Sequence, residues 1–534
     1  MKKLELTWIG KGDEPAVEPR ILLRKPKLDY GELNAIDRSS PLPPGGWPGN
    51  MLIHGDNLIA LKALGHNFSG QVKCVYIDPP YNTGSAFEHY DDNLEHSTWL
   101  SLMVPRLRIL RKLLCEEGSI WINLDDNEAH YCKIICDELF GRKQFVGTVI
   151  WEKADSPRMD ASLFSVRHDY ILVYAKNIKK IKFNREKYDT VQEHYKCVDE
   201  NGRRYYTKPL RVMGGNISES LFFSIIAPDG TEILPYENNG KKSCWRWSKK
   251  KVIDEADRIE WVNGKNGWNP YFRIYADTLK GAPAQTIWSH DEAGSNRASK
   301  RESKLLFGEN AFGTPKPEKL LLKLLNIATS PGDIVLDSFL GSGTTAAVAH
   351  KMGRRYIGIE LGEHCYTHCL PCLKAVVDGE EGGISKCVGW KGGGGFRFYE
   401  LAPTLIVPDK YGQPIINEKF NIMMLVESVS KLHGFTFAPD PDIYWKQGRS
   451  QDNCYIYVTA NYLSTNELDS IARDLKKSDR LMICALAFDI GLGKRYENIQ
   501  IRKIPMSILS KCEYNKDNYN FNIIRQTKQN DKEL

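Results

Sequence analysis

The stretch DIVLDSFLGSGTTAAVAHKMGRRYIGIEL, residues 333–361, decides the fold of this 534-residue chain. An apolar strand ends at Asp337, a glycine-rich loop follows, a helical segment stops at Gly353, and a second apolar strand ends at Glu360. A strand, a crossover helix and another strand predict neighbouring parallel strands of an open sheet. Ligands of such sheets bind beyond the carboxyl ends of the strands, so the loop is a candidate binding site.

The glycines of this loop indicate a ligand that carries a nucleoside. Gly341 and Gly343 open the helix in a G-x-G-x-x-A pattern, which lets the backbone approach a ligand and presents free amide groups. Glu360 follows at a distance along the chain that suits a contact with ribose hydroxyls. Asp337 disfavours a pyrophosphate and suits an ammonium group. We therefore predict S-adenosylmethionine as the cofactor, with a plain turn as the alternative.

A second stretch, VYIDPPYNTG at residues 75–84, ends another apolar strand with a carboxylate, two prolines and an aromatic ring. The exocyclic amine of a nucleobase is a poor nucleophile because its lone pair is delocalised into the ring. Asp78 and the Pro79 carbonyl are placed to accept its two hydrogens, and the Pro79–Pro80 pair fixes that carbonyl at little entropic cost. Tyr81 offers a ring face to a base extruded from a duplex. Taken alone, the stretch also fits a proline turn.

Asp56 is a further carboxylate at a predicted strand end. It follows the short strand 51–53 and precedes a helix, so we expect it to cap that helix. We also expect it to accept a hydrogen bond from the adenine amine of the cofactor. Since the strand ends of a parallel sheet meet at one edge, these residues predict transfer of a methyl group from a sulfonium to a base amine, without a metal. Asp78 is placed to take up the released proton.

The alternation of strands and helices predicts an α/β fold with an open parallel sheet covered by helices on both faces. Within the predicted helix 97–114, Pro105 is expected to kink or split the helix. We divide the chain into an N-terminal arm (1–50), a catalytic half (51–176), an insert (177–312), a cofactor-binding half (313–400) and a small C-terminal α/β domain (401–534).

The insert differs from its flanks in composition. Its periodicity is weak, and basic residues alternate with aromatic ones, as in KKSCWRWSKKK at 241–251. Lysine runs are most often solvated surface, but the interleaved Trp245 and Trp247 favour phosphate contact and base stacking. The insert is therefore a candidate nucleic-acid interface.

Composition narrows the class of protein. Hydrophobic residues make up 42% and charged residues 26%, which is ordinary for a soluble globular protein, and the net charge of +6 is only mildly basic. No apolar run approaches the roughly 18 residues of a membrane span, and the N-terminus lacks the apolar core of a signal peptide. We therefore expect a cytoplasmic protein without a membrane partner.

The 13 cysteines are an odd number in a chain without an export signal, so we interpret them as reduced thiols. In HCYTHCLPC at 364–372, Cys365, Cys369 and Cys372 follow the i, i+4, i+7 spacing of one helix face. This spacing indicates the buried side of a helix. A zinc site is the alternative, although no second pair of ligands lies nearby.

Three stretches together resemble a known family: DPPYNTG, LDSFLGSGTT and TPKPEKLLLKLL are similar to motifs of the adenine-specific DNA methyltransferases of the circularly permuted beta class. The catalytic motif precedes the cofactor motif, and the insert lies where that class has its target recognition domain. Further stretches, HGDNLIALKAL, INLDDNE, HDYILVYAK and GGISKCVGWKGGGGFRFYEL, are similar to the modification subunits of type III restriction systems. The likeness is strong over 51–176 and 312–400, positional in the insert and weak in the C-terminal region.

The resemblance implies a Rossmann-like, seven-stranded methyltransferase sheet in permuted order. It implies that Asp78, Pro79, Pro80 and Tyr81 hold the target adenine for methylation at N6. The residues that would hold the cofactor are Asp56, Lys316, Asp337, Phe339, Gly341, Gly343, Thr344, Thr345 and Glu360, with Thr344 and Thr345 near its carboxylate.

The resemblance also implies partners and a place in the cell. By this resemblance we expect the substrate to be double-stranded DNA in the nucleoid of a bacterial or archaeal cytosol, and the chain to be the modification component of a restriction or phage-defence system. A homodimer and a restriction or helicase–nuclease subunit are compatible with this interpretation. The chain contains no G-x-x-x-x-G-K-[ST] phosphate loop, so cleavage of DNA would need a partner protein.

Three alternatives stay open. The first is methylation of the exocyclic amine of cytosine, although such enzymes more often carry Ser where Asp78 stands. The second is a nicotinamide-dependent oxidoreductase, which would use the glycine loop but leave DPPY without a role. The third is a DNA-binding subunit that has lost catalysis, which the intact motifs disfavour.

Overall fold

A computed structural model describes residues 5–13, 15–18, 20–32, 49–82, 96–186, 195–212, 218–235, 237–238, 241–264, 267–278, 281–450, 453–509 and 511–519. The chain forms two compact units, of which the first is Met1–Asn184 with Gln285–Leu534 and the second is Arg185–Ala284. Residues 83 and 84 of the DPPYNTG stretch lie outside the described residues, as does much of the N-terminal arm.

The first unit is built on an eleven-stranded mixed sheet. In chain order its strands are β1 (Leu22–Arg24), β2 (Tyr30–Gly31), β3 (Asn50–His54), β4 (Val72–Ile77), β5 (Leu114–Leu124), β6 (Phe145–Glu152), β7 (His168–Ala175), β8 (Ile287–Trp288), β9 (Ile334–Asp337), β10 (Arg355–Glu360) and β11 (Gly395–Leu401). They lie in the order β1-β11-β3-β10-β9-β4-β5-β7-β6-β8, and β2 also pairs with β11. All neighbours from β11 to β5 are parallel, and β7 runs antiparallel between β5 and β6.

The α/β prediction is therefore confirmed in outline, but the sheet holds more strands than the seven expected. Two of the extra strands, β1 and β2, come from the predicted N-terminal arm, and they pair with β11. Another, β8, pairs with β6 and belongs to the first unit, although the sequence interpretation had put it in the insert. These strands have only two or three residues, too short for a hydrophobic period to be visible in the sequence.

Helices accompany the strands of the first unit. They are α1 (Asn57–Phe68), α2 (His96–Leu113), α3 (Ala129–Cys136), α4 (His290–Ala293), α5 (Asn296–Phe307), α6 (Glu318–Ala328), α7 (Thr344–Lys351), α8 (Leu370–Val377) and α9 (Ser385–Val388). Helix α2 is continuous through Pro105, so the expected split is wrong. Met103 and Leu107 beside the proline are fully buried, and this burial offsets the hydrogen bond that proline removes.

The burial of the central strands explains why they could be predicted from the sequence. Strands β4 and β9 are buried on both faces, so their sequences are continuous apolar runs. Leu61 of α1 and Leu107 of α2 pack with Val75 and Ile122 in one hydrophobic core. The polar residues that follow these strands are consequently held at a well-packed edge.

The second unit, Arg185–Ala284, contains small antiparallel sheets. Its four-stranded sheet consists of Cys197–Val198, Arg204–Pro209, Ile259–Gly264 and Gly267–Tyr275. Three further pairs of two-residue strands are Arg211–Val212 with Cys244–Trp245, Ile225–Ile226 with Glu232–Ile233, and Glu237–Asn238 with Lys241–Lys242. The α-helix of this unit is Lys249–Asp254. Trp245 and Trp247 lie in the core of this unit at 0% and 6% exposure. The sequence interpretation of these two rings as stacking surfaces is wrong, because they form the core that holds the unit together.

The C-terminal region after residue 401 is an α/β arrangement, as expected. Its five-stranded sheet is Thr436–Phe437, Gly448–Arg449, Cys454–Leu463, Arg480–Phe488 and Ile499–Lys503, its hairpin is Ile406–Pro408 with Pro414–Ile416, and its helices are Ile422–Leu432, Thr465–Asp474 and Met506–Leu509. Within the described ranges, none of the helices has the length and apolar character needed to span a bilayer.

Candidate active site

Three predicted carboxylates meet at one edge of the sheet. Asp337 is the last residue of β9 and lies opposite Gly358 of β10, two residues before Glu360. Asp78 follows the last residue of β4, which is parallel to β9. Asp337 and Glu360 are only 2% and 1% exposed. The sheet therefore brings together acidic groups that are far apart in the sequence, as the strand-end rule predicts.

Glu360 fastens the glycine loop to the end of β10. One of its oxygens accepts a hydrogen bond from the Gly341 amide at 2.7 Å, and the other accepts from the Leu361 and Gly362 amides at 2.8 and 3.0 Å. The Nε2 atom of His364 lies 2.9 Å from the same carboxylate. Burial would raise the pKa of Glu360, but His364 and the amide donors outweigh it and lower the pKa. Glu360 is thus an ionised group at the loop.

Asp337 sits beneath the other side of this loop. It accepts hydrogen bonds from the Phe339 amide at 2.9 Å and from the Thr345 hydroxyl at 2.6 Å. Burial, helped by the charges of Asp78 and Glu360, outweighs these two bonds and raises its pKa to about 7. Among the described residues no cationic side chain forms an ion pair with Asp337, so this buried carboxylate suits a cationic ligand group.

The glycine loop has the shape of a cradle for a ligand. Gly341 and Gly343 have φ values of 59° and 91°, in the left-handed region, and a Cβ atom on Gly343 would lie 3.3 Å from the Cα of Cys369. The hydroxyl of Thr344, half-buried at the start of α7, lies 2.8 Å from that of Ser342. Backbone amides, hydroxyls and two buried carboxylates are a donor and acceptor set that fits an amino acid joined to a nucleoside.

Two of the predicted cofactor residues are structural in this arrangement. Phe339 is 5% exposed and belongs to the hydrophobic core. Thr345 is 4% exposed, and its hydroxyl donates to Asp337. These contacts support the loop from beneath, so the predicted role of both residues as direct ligands stays a prediction.

Asp56 was predicted to bind the cofactor, but its carboxylate has structural partners. Its carboxylate caps α1 by accepting from the Leu58 and Ile59 amides at 2.9 and 3.0 Å. Its other oxygen accepts from the Tyr519 amide at 2.9 Å and lies 3.6 Å from the guanidinium of Arg106. Asp56 is 0% exposed. The expected cap is confirmed, whereas the contact with an adenine amine would have to compete with these partners.

The catalytic stretch surrounds Asp78 with donors. One oxygen of its carboxylate accepts from the hydroxyl of Tyr81 at 2.8 Å, and the other lies 2.6 Å from the ammonium of Lys316. The side chains of Asp78 and Lys316 are 23% and 14% exposed. Lys316, predicted as a cofactor residue, therefore lies against the carboxylate that is predicted to be catalytic.

Hydrogen bonds hold the backbone at Pro80 and the side chain of Asn82. The indole nitrogen of Trp99 donates to the Pro80 carbonyl at 2.7 Å, and Asn82 donates to the buried Glu128 at 2.6 Å. Pro79 is buried, and no hydrogen bond found between described residues uses its carbonyl. This leaves the Pro79 carbonyl for the acceptor role that the sequence predicts.

Three site residues were missed by the sequence interpretation: Asn123, Lys153 and Asp169. Asp169, 1% exposed, accepts from the Tyr81 hydroxyl at 3.2 Å and from the Lys153 ammonium at 2.6 Å. The amide of Asn123 contacts both the Tyr81 hydroxyl and Asp169. Asp169 is the second residue of the antiparallel strand β7, and the N-terminal end of this strand reaches the edge where the parallel strands have their carboxyl ends. A search of strand beginnings as well as strand ends would have found it.

The cysteine cluster belongs to the scaffold of the loop. Cys365, Cys369 and Cys372 are buried, and the thiol of Cys369 donates to the Gly341 carbonyl at 3.0 Å. Burial raises the pKa of the Cys372 thiol to about 12. No cluster of three metal-binding side chains occurs in the part of the chain that the structure describes. The helix-core interpretation of these cysteines agrees with their burial.

The sequence of this chain is similar to those of known proteins. A family model described as DNA methylase matches residues 72–369. The chain is 34% identical to the Mod subunit of the type III restriction-modification enzyme HindVI of Haemophilus influenzae, over 66% of this chain and 54% of that one. It is also 34% identical to the Mod subunit of the type III enzyme StyLTI of Salmonella typhimurium, over 64% of this chain and 55% of that one. The chain thus spans about half the length of these curated relatives.

A solved structure was matched as well. It is a DNA modification methylase from Thermus thermophilus complexed with S-adenosyl-L-methionine. The identity is 16%, the match covers 65% of this chain and 99% of that chain, and the TM-score is 0.32.

Proposed function

We propose, since this chain belongs to the DNA methylase family, that it methylates the N6 amine of an adenine extruded from duplex DNA. The observation that carries the proposal is the meeting of Asp78 with Asp337 and Glu360 at one sheet edge, where a carboxylate for a base amine adjoins a cradle for an amino-acid nucleoside. The cofactor is S-adenosylmethionine, which when bound supplies a methyl group on an activated sulfonium.

The catalytic stretch prepares the amine. Asp78 and the Pro79 carbonyl accept its two hydrogens, which favours a tetrahedral nitrogen whose lone pair is available for the new N–C bond. Tyr81 stacks on the base, and Pro80 is fixed by Trp99 so that the backbone does not move. The proton that the nitrogen loses passes to Asp78.

The predicted cofactor residues bind different chemical groups of the cofactor. Asp337 holds the ammonium group, which supplies the cationic partner that this buried carboxylate lacks among the described side chains. Glu360 holds the ribose hydroxyls at the loop it fastens. Gly341 and Gly343 let the loop approach the ligand, and Thr344 lies near the cofactor carboxylate at the start of α7.

The architecture extends the proposal to the whole chain. Strands β3, β10, β9, β4, β5, β7 and β6 would be the seven-stranded methyltransferase sheet in permuted order, with the compact unit Arg185–Ala284 as the target recognition domain. The similarity to Mod subunits supports a modification component of a type III-like restriction system. A second copy of the chain or a restriction subunit would be its partner there.

The proposal is tested in a host free of DNA methylation. Expression of the chain, followed by genomic sequencing with modified-base detection, should show N6-methyladenine at one recurrent sequence. The Asp78→Ala variant is the control and should leave the DNA unmodified. Digestion of the DNA to nucleosides and mass measurement separates this outcome from N4-methylcytosine, the second candidate product. Unmodified DNA in cells that contain folded wild-type protein and its cofactor would refute the proposal.

A further inference from the structure

Lys316 holds an unusual position for a residue outside the catalytic stretch. Its ammonium lies 2.6 Å from an oxygen of Asp78 and 5.0 Å from the centre of the Tyr81 ring, over its face. The ring of Trp151 lies 5.9 Å from the same ammonium on another side. The ammonium therefore pairs with one carboxylate and lies near two aromatic rings.

These contacts are the ones that a captured base requires. In the proposed function the base amine donates to Asp78 and the base stacks on Tyr81. Lys316 already forms an ion pair with that carboxylate and covers a face of that ring. An ammonium and a base amine are both N–H donors, so they compete for the same acceptor.

The surroundings of Lys316 allow the ammonium to leave while its backbone stays. Pro315 and Pro317 flank it, and Pro317 forms the N-cap of α6, so the backbone is fixed. The side chain carries a flexible four-carbon stem and a hydrated point charge. A second lysine of the site, Lys153, is paired with the buried Asp169 instead.

We propose that Lys316 is a placeholder for the target base: its ammonium occupies Asp78 and the Tyr81 face until an extruded base displaces it. This proposal rests on the proposed function and adds a residue that sets the cost of base capture. Every base that uses Asp78 must first displace the ammonium, so Lys316 lowers the affinity of the site for extruded bases as a class.

The test separates base capture from other binding. Two duplexes contain the recognition sequence mapped in the methylated genome, one with the target adenine and one with an abasic nucleotide in its place. The dissociation constants of both are measured without cofactor, and their ratio isolates the contribution of the base. Loss of a positive charge weakens both duplexes alike, so it cancels in the ratio.

The Lys316→Met variant should raise the ratio of the abasic to the adenine dissociation constant by at least about fivefold, because the ammonium no longer competes with the base for Asp78. Lys316→Arg keeps the cation and should leave the ratio near the wild-type value. Lys323→Met is a matched control: Lys323 also pairs with a carboxylate, Glu292 at 3.2 Å, and lies over Trp288 at 5.6 Å. It should not change the ratio. Thermal melting checks that each variant is folded.

Any other result for the Lys316→Met variant counts against the proposal that Lys316 is a placeholder for the base. An unchanged or lower ratio in Lys316→Met would overturn it. An unchanged ratio combined with a tenfold loss of S-adenosylmethionine affinity would return Lys316 to the cofactor role that the sequence resemblance implies. If wild-type protein leaves no methylated adenine in the genome, the proposed function fails, and the placeholder fails with it.

Discussion

The hydroxyl of Tyr81 donates to the buried carboxylate of Asp169, 3.2 Å away and 88 residues further along the chain. The oxygen of the same hydroxyl lies 2.8 Å from Asp78, so its single hydrogen is shared between Asp169 and the carboxylate predicted to be catalytic. Lys153 balances the charge of Asp169 at 2.6 Å. This arrangement fixes the plane of the ring on which a base would stack.

We expect Asp169→Ala to lower kcat by about 10- to 100-fold, because a misplaced stacking ring misaligns the base. The affinity for S-adenosylmethionine should not change. Asp169→Asn keeps the shape of the side chain and should lose less. A double-mutant cycle with Tyr81→Phe is decisive. If Asp169 acts through the Tyr81 hydroxyl, Asp169→Ala should lower kcat by a smaller factor in the Tyr81→Phe background than in the wild type. Fully additive losses would contradict the positioning role.

Cofactor binding should depend on pH through Asp337. Its pKa is raised by burial to about 7 in the folded chain, from 3.8. A raised pKa means that this group stabilises the fold at low pH and that this contribution is lost as the pH rises towards 7. An ammonium group binds the ionised form, so affinity for S-adenosylmethionine should rise about tenfold between pH 5.5 and pH 7, where the cofactor amine stays protonated.

Calorimetric titration across this range measures the effect. Asp337→Asn should bind the cofactor weakly and with a flat pH profile, and it should unfold at a higher denaturant concentration than wild type at pH 8, because a buried charge is removed. Equal pH profiles in the wild type and this variant would contradict the role of Asp337.

Gly343 should tolerate a methyl group less well than another glycine with a similar backbone. Gly343 and Gly353 have φ values of 91° and 69°, but only Gly343 is crowded: an added Cβ would lie 3.3 Å from Cys369, whereas at Gly353 it would meet nothing within 4 Å. Gly353→Ala should cost about 1 kcal/mol of unfolding free energy from backbone strain alone. Gly343→Ala should cost more and should also weaken cofactor binding. Chemical denaturation and titration of both variants measure the difference, and equal costs would refute the crowding.

A buried ion cluster on the far side of α7 should be essential for the fold. The side chain of Lys351 is 0% exposed, contacts Glu380 and lies 2.7 Å from Glu318. Lys351→Met would leave both carboxylates without their cation, so we expect a loss of about 3–5 kcal/mol in unfolding free energy. Lys180→Met, in an exposed pair with Glu116, should have no measurable effect. Denaturant unfolding of the two variants tests this contrast.

The sequence allowed the sheet edge to be predicted because it depends on local signals. Asp78, Asp337 and Glu360 each end an apolar strand, and parallel strands place their carboxyl ends together. The loop glycines were predictable for the same reason, since their conformation is set by the turn between strand and helix.

The remaining parts of the site depend on contacts that no local pattern encodes. Lys316 meets Asp78 across 238 residues of sequence, and the Tyr519 amide reaches Asp56 across 463. Trp245 was taken for a surface ring because its neighbours are basic, yet the packing of its unit buries it. Such outcomes follow from tertiary packing, which overrides the local composition.

The hydrogen bond between Tyr519 and Asp56 carries a consequence for anyone who shortens this protein. Removing everything beyond residue 400 would take away the amide on Asp56 and also the Lys516 carbonyl that Arg20 binds at 2.9 Å. A truncated fragment would therefore carry an uncovered carboxylate at the helix that borders the catalytic edge. The C-terminal residues therefore hold the start of that helix in place, and fragments made for crystallisation should retain them.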